Sequence, residues 1–216
     1  MRAAAVRELR GVKSLPGSRR YRRRTALRFA MPATRPFPGF SSPAAGFDAP
    51  LDMLHACHDR VRRSLDLLAR LCERVTEGRI DDAVRDAARD VLRYFDQASP
   101  HHHEDEEQHI FPRVLAAAPE PAVRAAVLQL QQDHVQMEKL WARLRTPLAA
   151  LAAGQSAAFG PPQIAAAERF AALYEAHTRT EEAVVFPVAA KLLDEPALRE
   201  IGNEMAARRG VRRPIS

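Results

Sequence analysis

The residues best suited to chemistry are histidines and glutamates that occur in two copies of one motif. Residues 102–112 and residues 177–187 both fit the pattern His-x3-Glu-Glu-x3-Phe-Pro, and the two copies are offset by 75 positions. A histidine and a glutamate four residues apart share one face of an α-helix. Imidazole nitrogens and carboxylate oxygens together bind metals such as iron, manganese and zinc. Each motif therefore predicts part of a metal site carried on a helix.

Two further histidines repeat at nearly the same distance. His58 and His134 are 76 positions apart, within one residue of the motif offset. The agreement indicates a duplicated helical hairpin, in which each copy carries one lone histidine and one motif. The duplication also selects among adjacent histidines, because His102 has an equivalent in the second copy, whereas His101 and His103 have none.

The six matched positions form the predicted site. They are His58, His102, Glu106, His134, His177 and Glu181. Counting residues from the predicted loops places all six within about two helical turns of one height in a bundle. Buried carboxylates need compensating charge, and metal ions are the usual compensation. Two glutamates can bridge two cations, and two histidines per cation complete a mixed nitrogen and oxygen shell that suits iron and also manganese or zinc. Structural zinc sites are usually rich in cysteine, which this set lacks.

Apolar residues at three- and four-residue spacing predict the helices that carry this site. A hydrophobic content of 46% with only 6% aromatic residues also favours helices over sheets. The predicted helices cover at least residues 51–78, 81–118, 130–148, 170–188 and about 196–208. We expect an all-α fold, an antiparallel up-down four-helix bundle over residues 50–192, followed by a short helix and tail over residues 193–216.

The helical period also predicts which residues face the core. The stripe of the second helix runs through Phe95 and Ala98 to its motif, and the stripe of the fourth helix continues through Val184 and Val188. Polar motif residues on these stripes would be costly in a bundle interior without a partner that satisfies them.

The charge of the chain is concentrated at its beginning. Residues 1–30 contain ten Arg or Lys and one Glu, so they carry +9, and the remaining residues carry −3. The basic pI therefore gives no reason to expect nucleic-acid binding by the folded domain. We expect residues 1–49 to be disordered. We favour translation from Met31 over a basic arm, a transit peptide or, least of all, an export signal.

The two cysteines predict a reduced protein. Cys57 and Cys72 lie 15 residues apart on one predicted helix, about 22 Å along its axis, which excludes a disulfide between them. No apolar stretch reaches the length of a membrane span. We therefore expect a cytoplasmic protein that does not interact with membranes.

At the two motifs the chain resembles the hemerythrin-like proteins, also called HHE cation-binding domains. The resemblance covers about residues 50–192 and implies a four-helix bundle with a non-haem site of two iron ions per chain, so that manganese or zinc is less favoured. It implies that the four matched histidines are terminal ligands and that Glu106 and Glu181 are bridges. It also implies binding or sensing of O2, NO or peroxide, or iron handling in stress, and it assigns no catalytic activity.

The chain departs from the oxygen-carrying members of that family. Glu138 occupies the position at which those proteins have a further histidine, and Glu181 replaces an aspartate placed five residues after the last histidine. We therefore do not expect reversible oxygen carriage. The ligand set resembles that of iron-sulfur-cluster repair proteins, but residues 1–49 have no cysteines for their additional N-terminal domain. Glu138 is open to three interpretations, a seventh ligand, a partner of His134 or a solvated residue, of which we favour the last two.

Several residues have alternative interpretations. Tyr174 lies one turn from its motif and could hydrogen-bond a bound ligand, although we favour a position at the bundle rim, and Tyr94 is unassigned. We expect His109 at the surface and helix kinks at Pro112 and Pro187.

Two further function classes compete with metal binding. A phosphotransfer bundle would need one exposed histidine with a lysine nearby. A structural interaction module would bind no metal and would tolerate substitution of His58 or Glu181. The physiological ligand and the oligomeric state stay open.

Overall fold

The computed structural model describes residues 46–117, 120–155 and 159–211, and every regular element among them is helical. The predicted all-α class is confirmed. Residues 1–45, which make up most of the segment predicted to be disordered, lie outside the described residues. Within the described ranges, no helix has both the length and the apolar character needed to cross a membrane.

Eight α-helices occur among the described residues. They are α1 (Pro50–Thr76), α2 (Asp82–Arg93), α3 (Ser99–Asp105), α4 (Phe111–Ala116), α5 (Pro121–Ala152), α6 (Pro161–Thr180), α7 (Phe186–Leu192) and α8 (Glu195–Arg208). Three π-helical turns continue the chain without a break between α2 and α3, between α3 and α4, and between α6 and α7. They are Tyr94–Ala98, Glu106–Ile110 and Glu181–Val185.

Local sequence signals set several helix ends. The Asp81 carboxylate accepts the backbone N–H of Val84 at 3.1 Å and caps α2. The Asp194 carboxylate caps α8 in the same way. Such caps satisfy backbone donors that the first helical turn leaves open. Gly78 and Gly154 follow α1 and α5 with φ values of 71° and 89°, a conformation that glycine adopts with little strain.

The long helices pack side by side and bury two apolar clusters. Helices α1 and α5 each contact both α2 and α6. On α1, Leu54 belongs to one cluster and Val61 to the other, with His58 between them in sequence. On α5, His134 lies in the same way between Leu130 and Met137. Polar residues of the predicted site therefore lie between two apolar layers.

Each π-turn immediately precedes a residue followed by proline. These dipeptides are Ser99-Pro100, Phe111-Pro112 and Phe186-Pro187. The N–H groups of Ser99, Phe111 and Phe186 donate to the carbonyl five residues earlier. Proline lacks an N–H and clashes with the carbonyl four residues before it, and the wider turn accommodates both effects. The predicted kinks at Pro112 and Pro187 thus coincide with π-turns. Pro147 lies inside α5, so proline alone does not impose such a turn.

The π-turns also correct the predicted buried stripes. Ala98 is exposed, and the neighbouring Ser99 is buried. In the third π-turn Val185 is fully buried, and Val184 and Val188 are partly buried and pack against the apolar cluster, as predicted. The prediction for Ala98 was wrong because it carried the 3.6-residue period across a turn that contains an extra residue.

The predicted C-terminal helix is α8, and it packs against the first motif. Ile201 and Met205 are fully buried in the apolar cluster that also contains Leu54. Arg208 and Arg209 both form ion pairs with the buried Asp105 carboxylate, and the Arg209 contact measures 2.6 Å.

His109 is buried, and its Nε2 atom lies 3.0 Å from a carboxylate oxygen of Glu204 on α8. Its predicted surface position was wrong because α8 covers it.

Replacing Asp105 tests whether this contact holds α8 in place. Asp105→Asn removes the charge that pairs with two arginines, and we expect a loss of about 2 kcal/mol in the free energy of unfolding, measured in urea. The matched control is Asp86→Asn, because Asp86 is exposed and its one ion pair with the described residues is with Arg89. The control should change stability by less than about 0.5 kcal/mol. Equal effects of the two substitutions would contradict this role of Asp105.

Candidate metal centre

All six residues of the predicted site are buried, each with an exposed fraction of 4% or less. They form two groups, and within each group one nitrogen or oxygen atom per residue lies within 4.8 Å of all the others. Each group has two histidines and both glutamates. The first group is His58, His102, Glu106 and Glu181, and the second is Glu106, His134, His177 and Glu181. The structure therefore brings together every residue that the repeat selected.

Different elements supply these side chains. His58 is on α1, His102 on α3, His134 on α5 and His177 on α6, and each glutamate is the first residue of a π-turn. Each motif places its histidine in the last turns of a helix and its glutamate four residues later on the same buried face. The two glutamates thus lie in equivalent positions of the duplicated hairpin.

The Nε2 atom of each of the four site histidines points toward a glutamate oxygen. The shortest distances are 3.1 Å from His58 to Glu181, 3.2 Å from His102 to Glu106, 3.4 Å from His134 to Glu106 and 3.1 Å from His177 to Glu181. Nevertheless, His58 Nε2 and all four oxygens of the two glutamates are buried without an aligned hydrogen bond. Buried polar atoms are nearly always satisfied in proteins, so this group of converging unsatisfied atoms indicates a site for a cation.

The histidines of the second group give a more specific reason to expect a metal ion at the site. Nε2 of His134 lies 3.1 Å from Nε2 of His177, and Nδ1 of His134 lies 3.0 Å from Glu107. An ionised carboxylate only accepts hydrogen bonds, so Nδ1 of His134 carries the proton and its Nε2 presents a lone pair. If Nε2 of His177 carries a proton, it donates that proton to His134. Without the proton, two lone pairs face each other at this distance and repel unless a metal ion lies between them. The residues present therefore fit a metal ion.

Each motif also holds the lone histidine of the other hairpin. The second glutamate of each motif bonds Nδ1 of that histidine, Glu107 to His134 at 3.0 Å and Glu182 to His58 at 2.8 Å. Such hydrogen bonds fix the tautomer and ring orientation of a metal-binding histidine. Sequence analysis missed both glutamates, although the Glu-Glu pair occurs in both copies of the motif.

The motif phenylalanines contact the same two histidines. Phe111 stacks on His134 with ring centroids 5.7 Å apart, and Phe186 stacks on His58 at 5.4 Å. Every residue type that the motif repeats therefore has a place in the site. Its histidine and first glutamate enter the core, its second glutamate and phenylalanine hold a histidine, and its proline follows the π-turn.

Burial and neighbouring charges separate the pKa values of the two central glutamates. Burial and the negative charge of Glu181 raise the pKa of Glu106 well above its usual value. Burial also acts to raise the pKa of Glu181, but His177 and His58 outweigh it and lower that pKa well below its usual value. Burial, together with His58, lowers the pKa of His102 well below its usual value. Without a cation, the core therefore favours one neutral and one ionised carboxyl group.

A cleft of about 430 Å³ reaches the second group from the surface. Its lining includes His134, Glu107, His103, Glu138 and Tyr174. Its lining includes neither histidine of the first group. The ring of His103 stacks on His134 with centroids 4.0 Å apart, so a residue set aside by the repeat borders the cleft beside the site.

The two tyrosines and Glu138 differ from one another in their surroundings. Tyr174 is buried rather than placed at the rim, and its hydroxyl lies 2.7 Å from Ser99 Oγ and 3.3 Å from His103 Nε2. Tyr94 is also buried and donates to the carbonyl of Cys57. Glu138 is exposed and belongs to neither group, and Glu107 instead bonds His134. These positions favour the solvated interpretation of Glu138.

Comparison with known proteins identifies the family. A model of the Hemerythrin HHE cation binding domain matches residues 49–189. A protein of Haemophilus influenzae, described only as an uncharacterized protein, is 31% identical over 168 residues, which cover 78% of this chain and 94% of that protein. The chain therefore belongs to the hemerythrin HHE cation-binding family, which confirms the resemblance. Family membership and the buried histidines and glutamates together indicate a metal-binding protein.

The raised pKa of Glu106 predicts an instability of the metal-free protein. In the folded chain Glu106 keeps a proton that the unfolded chain releases above about pH 4.5. The free-energy cost of keeping this proton in the folded state therefore grows as the pH rises. In EDTA, Glu106→Gln should therefore stabilise the fold by about 1 to 3 kcal/mol at pH 7, and by less at pH 5. Urea unfolding at both pH values measures the difference.

Glu104→Gln is the control for this experiment, because Glu104 belongs to the same motif and is exposed. It should leave stability nearly unchanged at both pH values. A metal-free Glu106→Gln protein that is less stable than the wild type at both pH values would contradict the electrostatic account of the core.

Proposed function

We propose that this chain is a non-haem di-iron protein that binds or senses O2, NO or peroxide. The observation that carries the proposal is the pair of four-residue groups that share Glu106 and Glu181. Two carboxylates common to both groups can bridge two metal ions, and the two histidines of each group can complete the coordination of one ion. We assign the six residues as ligands on this basis.

The donor set and the family match together support iron over the alternatives. Four imidazoles and two carboxylates form a mixed nitrogen and oxygen site, which suits iron and also manganese or zinc. Neither cysteine belongs to the two groups, and structural zinc sites generally use cysteine. The family match adds cation binding, for which iron is the typical metal in hemerythrins.

The residues of this chain have separate tasks in the proposed function. When bound, a pair of iron ions supplies one-electron redox change and open positions for small ligands. The apolar clusters above and below the site limit access of water to it. Glu107 and Glu182 orient two of the histidines, and the cleft beside His134 gives a small molecule a route to the second group.

We also propose how the helices are arranged and where in the cell the protein is found. The helix contacts support an antiparallel up-down four-helix bundle over residues 50–192, in which each long helical segment has two neighbours. We propose a cytoplasmic location, in line with the two free cysteines. The cleft favours ligand binding over iron storage or delivery, which stays the second candidate.

The competing function classes fit the structure less well. A phosphotransfer bundle needs an exposed histidine, whereas the four histidines of the site are buried. A structural module without metal leaves the buried glutamate oxygens unsatisfied.

Metal analysis with matched variants tests the proposal. Protein purified without added metal should contain about two iron ions per chain, as the two groups require, and near-ultraviolet absorption that changes on reduction and on exposure to O2 or NO. His102→Ala should reduce the iron content strongly, because it removes one of four histidines. His101→Ala should not, because His101 is partly exposed and lies outside both groups. Absence of bound metal, with unchanged thermal stability of His102→Ala and Glu181→Ala, would contradict the proposal.

The two outer glutamates give a second test. Glu107→Gln and Glu182→Gln should each weaken metal binding by about 10- to 100-fold, because each replaces the charged acceptor that orients a histidine with a neutral, weaker one. The two effects should be similar, since the glutamates occupy equivalent positions. Competition with a metal-binding dye measures the affinity. Metal affinity that stays at the wild-type value in both variants would exclude this role.

A further inference from the structure

The duplicated hairpins share the six matched residues, and they differ at a position beside the motif histidines. Asp133 precedes His134 in the second hairpin, and the equivalent position of the first hairpin is Cys57. One of the two motif histidines therefore faces a carboxylate, and the other does not.

The second hairpin places its carboxylate close to His177. Oδ2 of Asp133 lies 3.5 Å from Nδ1 of His177, an ion-pair contact that is longer than the bonds of Glu107 and Glu182. The other oxygen, Oδ1, accepts a hydrogen bond of 2.8 Å from Gln129 Nε2. Asp133 is itself largely buried, with 8% of its surface exposed. Its carboxylate is therefore held beside the imidazole rather than free in solvent.

The first hairpin has no such partner for His102. Nδ1 of His102 and Nδ1 of His177 are both buried without an aligned hydrogen bond. The difference is that Nδ1 of His177 lies beside the Asp133 carboxylate, whereas no carboxylate of the described residues pairs with Nδ1 of His102. A metal ion bound at Nε2 withdraws electrons from the ring and makes the opposite N–H a stronger donor, so a carboxylate there stabilises the bound ion. His58, His134 and His177 have a carboxylate on the opposite side of the ring, whereas His102 has none from the part of the chain that the structure describes.

We propose that the two metal positions are unequal, and that the position formed with His134 and His177 binds its ion first and more tightly. Asp133 acts as a positioning residue for His177 and makes this difference. The inference rests on the proposed di-metal function. It adds that the chain passes through a state with one ion, held by the second hairpin beside the cleft that contains His103 and Tyr174.

A titration of the metal-free full chain with Co²⁺ tests the inference. Calorimetry follows the affinity, and visible absorption follows the coordination of each ion. The wild type should bind two ions in two steps whose dissociation constants differ by about 10-fold or more. Asp133→Asn replaces the acceptor oxygen with an amide and should weaken the tight step about 10- to 100-fold, so that the two steps merge.

The matched control is Cys57→Ala at the equivalent position, which should leave both steps unchanged. Gln129→Leu keeps the carboxylate but removes the donor that holds it, and it should weaken the tight step less than Asp133→Asn. It also provides a second variant if Asp133→Asn does not fold. His102→Ala should retain the tight step, and His177→Ala should lose it.

The outcomes separate the two claims. The wild type could bind two Co²⁺ ions with equal affinity, and Asp133→Asn could give the same titration. That result would overturn the proposed difference between the two metal positions while supporting a two-ion site. Loss of the tight step in His102→Ala but not in His177→Ala would overturn the assignment of the first position. Absence of Co²⁺ binding by the wild type would overturn the proposed function and this inference with it.

Discussion

The structure depends on the burial of two carboxylates among four imidazoles, between two apolar clusters. Glu106 and Glu181 are fully buried, and none of their oxygens makes an aligned hydrogen bond. Such an arrangement is unfavourable in a core unless a cation balances it. A helical bundle of this size could be stable with apolar residues at the same positions. The polar layer is therefore best explained by metal binding rather than by stability of the fold.

The duplicated motif arranges this layer through backbone geometry as well as side chains. Pro112 and Pro187 follow π-turns that begin at Glu106 and Glu181. Insertion of an extra residue into the turn changes which side chains face inward, as π-turns commonly do at functional sites. Each motif then contributes a histidine and a glutamate to the core and holds the histidine of the opposite hairpin with a second glutamate and a phenylalanine. The two hairpins thus depend on each other for the geometry of the site.

Sequence reasoning predicted the helices from simple periodicity, and the repeat selected six residues that the structure brings together in the core. The duplication selected His102 over His101 and His103, and the structure places His102 in the core. The errors lie where periodicity fails. The π-turns exposed Ala98 and buried Ser99, and α8 covered His109. The roles of Glu107 and Glu182 could not be derived from helix faces, since their partners lie on other helices. The Glu-Glu pair in both motifs was the available signal.

The central claim is that two metal ions lie between the four histidines and share the two glutamates. Anomalous X-ray diffraction at the iron edge, on crystals of protein purified without added metal, tests it most directly. The account predicts two peaks per chain, one beside His58 and His102 and one beside His134 and His177, with both glutamates between them. Electron density that shows these side chains bonded only to one another or to water, with no anomalous peak, would contradict it.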